Sequence, residues 1–156
     1  MMEITIPGYG TFSLTDLVLD FNGTLASDGT LIEGIAPLLK VVSEKFRIHV
    51  LTADTFGDAA TELSVTPCNL VIISPDDQDG AKLRYIEKLG PETTVCIGNG
   101  RNDRLMLKKA ALGIAVIQKE GAATGAIAAA DIVTTNIFDA LNLLSHPLRL
   151  VATLRS

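Results

Sequence analysis

Leu17-Val18-Leu19-Asp20-Phe21-Asn22-Gly23-Thr24-Leu25 is the stretch from which the fold of this 156-residue chain is read. Three apolar residues are too few for a helix and suit a strand buried on both faces. A carboxylate ends the run, and Gly23 allows a sharp turn after it. Further short apolar runs follow at regular intervals: Ile48–Leu51, Leu70–Ile73, Val95–Ile97, Ile114–Ile117 and Ile132–Val133. Helical spacing fills the gaps. Residues 34–45 put Ile35, Leu38, Leu39 and Val42 on one face; residues 79–89 put Leu83, Ile86 and Leu89 on one stripe, with Lys and Glu elsewhere. Residues 102–111 offer Leu105, Met106 and Lys109, residues 122–130 are Ala-rich, and residues 136–144 begin at a cap-like Asn136. Strand alternating with helix predicts the α/β class, as a three-layer, doubly wound parallel sheet.

The same pass predicts one domain over residues 1–156. Residues 1–15 form an N-terminal β-hairpin broken at Pro7-Gly8-Tyr9-Gly10. Residues 16–145 form the core, and residues 146–156 a terminal helix opened by His146-Pro147. Hydrophobic residues make up 47% and aromatics only 4%, with no Trp, so Val, Ile, Leu and Ala must fill the core. The net charge of -5, without a basic stripe, argues against a nucleic-acid partner and against an anionic membrane surface. Cys68 and Cys96 form no ligand cluster and read as reduced thiols. No signal peptide is visible, and no run approaches the roughly 20 apolar residues of a membrane span. A cytoplasmic protein is expected.

Polar residues gather where the strands end. Asp20 ends the first run, Thr52 the second and Ser74 the third, while Gly98-Asn99-Gly100 ends the fourth. Ligands of open parallel sheets bind outside these carboxyl ends. Asp20 fits a carboxylate nucleophile toward phosphorus, one oxygen attacking while the other holds a metal. The Thr52 hydroxyl and the main-chain N–H groups at Ala53 suit a phosphoryl oxygen near a helix start. Lys82 would offset negative charge accumulating there. Asp103 suits Mg²⁺, which takes a few hard oxygens and keeps several waters, and Asn102 suits a donor to a phosphoryl oxygen. Each motif alone also has a plain reading, as a turn, a cap or a solvated lysine. His49 and His146 are far apart and read as structural. Arg101 is either a surface residue or a contact for an anionic substrate.

In order and spacing, Asp20, Thr52, Lys82 and Asn102-Asp103 resemble the four signature motifs of the haloacid dehalogenase superfamily. The stretch Gly98-Asn99-Gly100-Arg101-Asn102-Asp103, then Leu112-Gly113-Ile114-Ala115-Val116, then Ala128-Ala129-Ala130-Asp131-Ile132-Val133, looks like the phosphorylation domain of P-type ATPases. The resemblance is closest to small, free-standing soluble members of that kind. It implies an Mg²⁺-dependent phosphatase or phosphotransferase that forms an aspartyl phosphate at Asp20. It implies a metal held by Asp20, the main-chain carbonyl of Asn22, and the residues at Asn99 and Asp103. It also implies phosphate held by Thr52, Ala53, Asn102 and Lys82.

Two positions depart from that pattern. Phosphatases of the superfamily usually carry a second Asp where this chain has Asn22, so a general acid–base worth roughly 10²–10⁴-fold is missing. The metal-ligand Asp usual at position 99 is Asn99, which removes one negative charge. Slow turnover is therefore expected, with a catalytically weakened binding or regulatory domain as the alternative. The gaps from Asp20 to Thr52 and from Thr52 to Lys82 hold a small flap near Leu25–Ile35 but no cap domain and no nucleotide-binding domain. Ion pumping is thus excluded. An open site implies a small phosphorylated substrate or a phosphoprotein, and a homo-oligomer to supply the missing wall.

Overall fold

Leu17 and Leu19 point to one side of their strand and Val18 to the other, and this alternation divides the molecule into layers. The computed structural model describes residues 1–54 and 57–156. The chain opens with a hairpin of β1 (Met2–Ile6) and β2 (Gly10–Leu14), then enters β3 (Asp16–Asp20). A second, very small hairpin of β4 (Ala26–Ser27) and β5 (Thr30–Leu31) follows. After α1 (Ile35–Val42) come β6 (Arg47–Thr52), α2 (Ala59–Leu63), β7 (Cys68–Ile72), α3 (Gln78–Leu89) and β8 (Thr94–Gly98). The chain continues with α4 (Arg104–Lys109), β9 (Leu112–Val116), α5 (Thr124–Ala129), β10 (Ile132–Thr134), α6 (Ile137–Ser145) and α7 (Pro147–Leu154).

Six strands form one parallel sheet in the order β10-β9-β8-β3-β6-β7. Leu17, Leu19, Ile48, Val50, Val95 and Ile97 face a core completed by α1, α6, the N-terminal hairpin and Leu150 of α7. Val18, Leu51 and Cys96 face Ile86 of α3, Met106 and Leu107 of α4, and Ala126 of α5. The expected three-layer α/β architecture with a small hairpin flap and no cap is what the chain forms.

Local details differ from the sequence pattern for physical reasons. The central strands β3, β8 and β9 are buried throughout, but β7 and β10 lie at the sheet edges. There Ile72 is 56% and Val133 42% exposed, so the expectation of burial on both faces fails at the edges. On α3 the fully buried pair is Lys82 and Ile86 rather than the Leu83-Ile86-Leu89 stripe. The helix over 102–111 starts as a 3-10 turn, Arg101–Asp103, and buries Met106 and Leu107, leaving Lys109 outside. Ile117 falls beyond β9 and is 40% exposed.

Candidate active site at the switch point of the sheet

From β3 the chain winds outward through β6 and β7 on one side, and through β8, β9 and β10 on the other. The carboxyl ends of β3 and β8 therefore flank the switch point, where an open α/β sheet leaves a crevice. Asp20 ends β3 and Gly98-Asn99 ends β8. Leu51 pairs with Asp20 across β3 and β6, which brings Thr52 to the same rim.

The turn after Asp20 is wound tightly on itself. The Phe21 carbonyl accepts from the N–H groups of Thr24, Leu25 and Ala26, and the Ala26 carbonyl accepts from Gly23. The Leu25 carbonyl accepts from Ile32, and the Gly23 and Thr24 carbonyls accept from the side chain of Gln118. Among the described residues none donates to the Asn22 carbonyl, the exception in this turn. Gly23 is in the left-handed region, at φ 80°, and a Cβ there would lie 2.3 Å from Asn99 Nδ2. Only glycine lets the turn press against the end of β8.

Lys82 reaches into this corner from α3. Its Nζ donates to Asp20 Oδ1 at 2.6 Å and to Asp103 Oδ1 at 2.6 Å, and is 3.4 Å from Asn102 Oδ1. The lysine is 1% exposed. One ammonium thus serves two buried carboxylates. Burial, then the charge of Asp103, pushes Asp20 up to about 7 despite Lys82. Burial would lower Lys82, but the two carboxylates outweigh it and hold the ammonium above its ordinary range.

Asp103 is fully engaged. Its Oδ2 accepts from the main-chain N–H groups of Asn99 at 3.0 Å and Gly100 at 2.8 Å, while Oδ1 holds Lys82. The carboxylate packs so closely on Gly98 that a Cβ there would lie 2.5 Å away. Asn102 donates to Gln78 Oε1 at 2.6 Å. Asn99 donates to the Gly121 carbonyl at 3.0 Å, so its Oδ1 turns toward Thr24, 3.3 Å from the hydroxyl. That hydroxyl also reaches Asp20 Oδ2 at 3.2 Å. The Thr52 hydroxyl accepts from Asp54 N–H at 2.9 Å, beside Ala53. Among the described residues, Asn22 Oδ1 is buried without a hydrogen-bond partner.

The chain therefore brings Asp20, Lys82, Asn102 and Asp103 into direct contact and joins Asn99 to Asp20 through Thr24. Thr52 and Ala53 share the rim without touching that cluster by hydrogen bond. Among the described residues no group of three His, Cys, Asp or Glu side chains is placed to hold a metal. The oxygens with lone pairs to give are Asp20 Oδ2 and Asn99 Oδ1, which share the single proton of the Thr24 hydroxyl, and the Asn22 main-chain carbonyl. One carboxylate and neutral oxygens fit Mg²⁺ in the manner of a site that keeps waters and takes phosphate oxygens as further ligands.

The family model for haloacid dehalogenase-like hydrolases matches residues 51–139, more than half of the chain. The chain belongs to this family. Among curated relatives, an uncharacterized protein of Methanocaldococcus jannaschii is 49% identical over 79 residues, covering 48% of this chain and 85% of the relative. In fold, the chain is similar to 3-deoxy-D-manno-octulosonate 8-phosphate phosphatase from Moraxella catarrhalis, solved with magnesium, phosphate and a KDO molecule. The TM-score is 0.66 at 16% identity, over 89% of this chain and 90% of that one. A zinc-transporting PIB-type ATPase shares the fold with TM-score 0.59 at 23% identity, over 79% of this chain and 20% of the pump.

The four signature motifs end at Asp103, and sequence reasoning missed Thr24, Gln78 and Gln118. Thr24 lies inside the Asp20 motif, where the sequence pattern gives it no role. Gln118 follows the carboxyl end of β9, where the strand-end rule would have found it. No described helix is long and apolar enough to cross a membrane. Cys68 and Cys96 are free, and burial raises both thiols.

Proposed function

We propose that this hydrolase transfers a phosphoryl group through an aspartyl phosphate at Asp20, with Mg²⁺. The observation that carries the reading is the buried Asp20–Lys82–Asp103 cluster at the switch point, beside a turn in which, among the described residues, the Asn22 carbonyl alone lacks an internal donor. A carboxylate oxygen of Asp20 attacks phosphorus, the bond to the leaving oxygen breaks, and the leaving group takes the electron pair. Water then attacks phosphorus, the phosphorus–oxygen bond to Asp20 breaks with its electron pair returning to the carboxylate, and inorganic phosphate departs with both protons of the water. Bound Mg²⁺ neutralises charge on the phosphoryl oxygens. Asp20, the Asn22 carbonyl and Asn99 Oδ1 would hold it.

Lys82 stabilises negative charge on Asp20 and on the transferring group. Asp103 holds Lys82 and the Gly98–Gly100 turn; because both its oxygens are engaged, we assign it support of the metal site rather than direct ligation. Thr52, the Ala53 main chain and Asn102 receive the phosphoryl oxygens.

Asn22 sets the substrate class. An amide cannot protonate a departing alkoxide, so a leaving group that departs as a stable anion is favoured, as from an acyl phosphate. The same lack slows water attack, so the phosphoenzyme persists, in keeping with the likeness to the pump's phosphorylation domain. A small phosphorylated substrate would place its remainder in the cavity of about 630 Å³ between the β4–β5 flap and Gln118. The site has no cap, and a second copy of the chain is the proposed wall; light scattering at several concentrations reads the oligomeric state directly.

Beryllofluoride with Mg²⁺ should raise the melting temperature of the native chain and leave Asp20→Asn unchanged. Acetyl phosphate should add one phosphoryl mass to the native chain. No thermal shift together with no added mass would remove the proposal. The Asn22 and Asn99 amides favour a second reading, a binding or regulatory domain. That reading requires Asp20→Asn to keep its biological role, and loss of the role with the fold intact rejects it.

A further inference from the structure

Gln118 lies outside the four signature motifs, yet both ends of its amide are engaged. Nε2 donates to the Gly23 carbonyl at 3.1 Å and to the Thr24 carbonyl at 2.8 Å. Oε1 accepts from the Ile137 main-chain N–H at 2.8 Å, at the start of α6. Two acceptors on one side and a donor on the other fix which end of the amide is which. One side chain from the β9 loop thus bolts the catalytic turn to a helix of the core.

The geometry of that turn gives the bolt a function. Gly23 is a flexible left-handed residue, and its peptide units are otherwise held by Gly23 N–H on Ala26 and Thr24 N–H on Phe21. Gln118 engages the Gly23 and Thr24 carbonyls in hydrogen bonds of their own. With those two engaged, the Asn22 carbonyl is, among the described residues, the one in the turn without an internal donor. Thr24 is also held where its hydroxyl reaches both Asp20 Oδ2 and Asn99 Oδ1. We propose that Gln118 is a positioning residue for the Asp20 turn: through the Gly23 and Thr24 carbonyls it holds the Asn22 carbonyl and the Thr24 hydroxyl in their working places. This inference rests on the proposed phosphoryl transfer at Asp20.

Gln118→Glu separates the two halves of the amide. The glutamate keeps the size and the acceptor for Ile137 N–H. It loses the donor and sets a carboxylate against two carbonyl oxygens. With acetyl phosphate as the probe, kcat should fall about ten- to a hundredfold, as for residues that support metal ligands, while KM stays close to the native value. By calorimetry with beryllofluoride, Mg²⁺ should bind about tenfold more weakly. The melting temperature without Mg²⁺ should fall while the transition stays cooperative. Gln118→Met, which removes donor and acceptor together, should show the same fall in kcat and also a lower melting temperature.

Native kcat and native Mg²⁺ affinity in Gln118→Glu would overturn the positioning role while leaving the proposed function standing. Loss of a cooperative melt in both variants would overturn it too, and assign Gln118 to the fold. A native chain that neither takes up phosphate from acetyl phosphate nor binds beryllofluoride would remove the proposed function, and the positioning role with it.

Discussion

Asn22 is the second residue after the Asp20 carboxylate, with a buried side-chain oxygen that finds no donor among the described residues. A buried acceptor without a partner costs stability, so its place in the turn answers to the site rather than to packing. Replacing the amide by a carboxyl group restores a group able to hold and release a proton. Asn22→Asp should raise steady-state hydrolysis of p-nitrophenyl phosphate, up to about 10²-fold, and should shorten the life of the phosphoenzyme read by intact mass. An unchanged rate would show that proton transfer at this position is not what limits turnover.

Helix α3 carries Lys82 on the face that its apolar residues share, an unfavourable location for an ammonium. Without Asp20 and Asp103 the lysine would not remain charged there, and without the lysine the two carboxylates would face each other in a buried corner. Lys82→Met should therefore destabilise the chain by roughly 3–5 kcal/mol in urea unfolding near neutral pH. Tyr85, one turn along the same helix, holds the other end of the sheet by its hydroxyl, 2.9 Å from His49 Nδ1. His49 Nε2 lies 3.0 Å from Asp16 Oδ1, and Arg47 grips Asp16 with two donors, at 2.8 and 2.7 Å. The histidine is structural, as its place in the sequence suggests. Burial of Asp16 would raise its pKa, but hydrogen bonds from Arg47, Thr15 and His49 outweigh burial and hold the carboxyl below its ordinary range. A depressed carboxyl adds stability above its unfolded pKa and loses it as pH falls through the folded value. Asp16→Asn should thus cost roughly 1–3 kcal/mol at pH 7. The gap between variant and native chain should close as pH falls below the ordinary carboxylate range, about pH 4, in melts recorded across pH.

Across the whole molecule, the chain's two ends meet. Helix α7 lies against the N-terminal hairpin, Leu150 is fully buried in the core it shares with Met2, Ile4 and Ile6, and Ser156 N–H donates to the Pro7 carbonyl at 3.2 Å. We therefore propose that hairpin, core and terminal helix unfold as one unit. Leu150→Ala should lower stability by about 2–5 kcal/mol and still give a single transition, the same by near- and far-ultraviolet circular dichroism. Two separated transitions would divide the chain into independent parts.

The alternation of strands and helices, and the polar residues at the strand ends, are legible because both are local. A period of two or of 3.6 residues, and a carboxylate after an apolar run, need no knowledge of what lies across the sheet. Asp20, Thr52 and Asn99 are found this way. Lys82 is found by its place in the ordered motifs, while its burial is not: its helix pattern suggests a solvated face, and the carboxylate it meets lies 62 residues away in sequence. Gln118 goes unread for the same reason, since its acceptors lie 94 and 95 residues away. The layers, and the residues that reach the rim of the sheet, are thus written in the local pattern of the chain. Which of those residues meet is a matter of strand order, which sets β3 beside β8 and so places the Asp20 turn against Asn99, under Lys82 and Gln118.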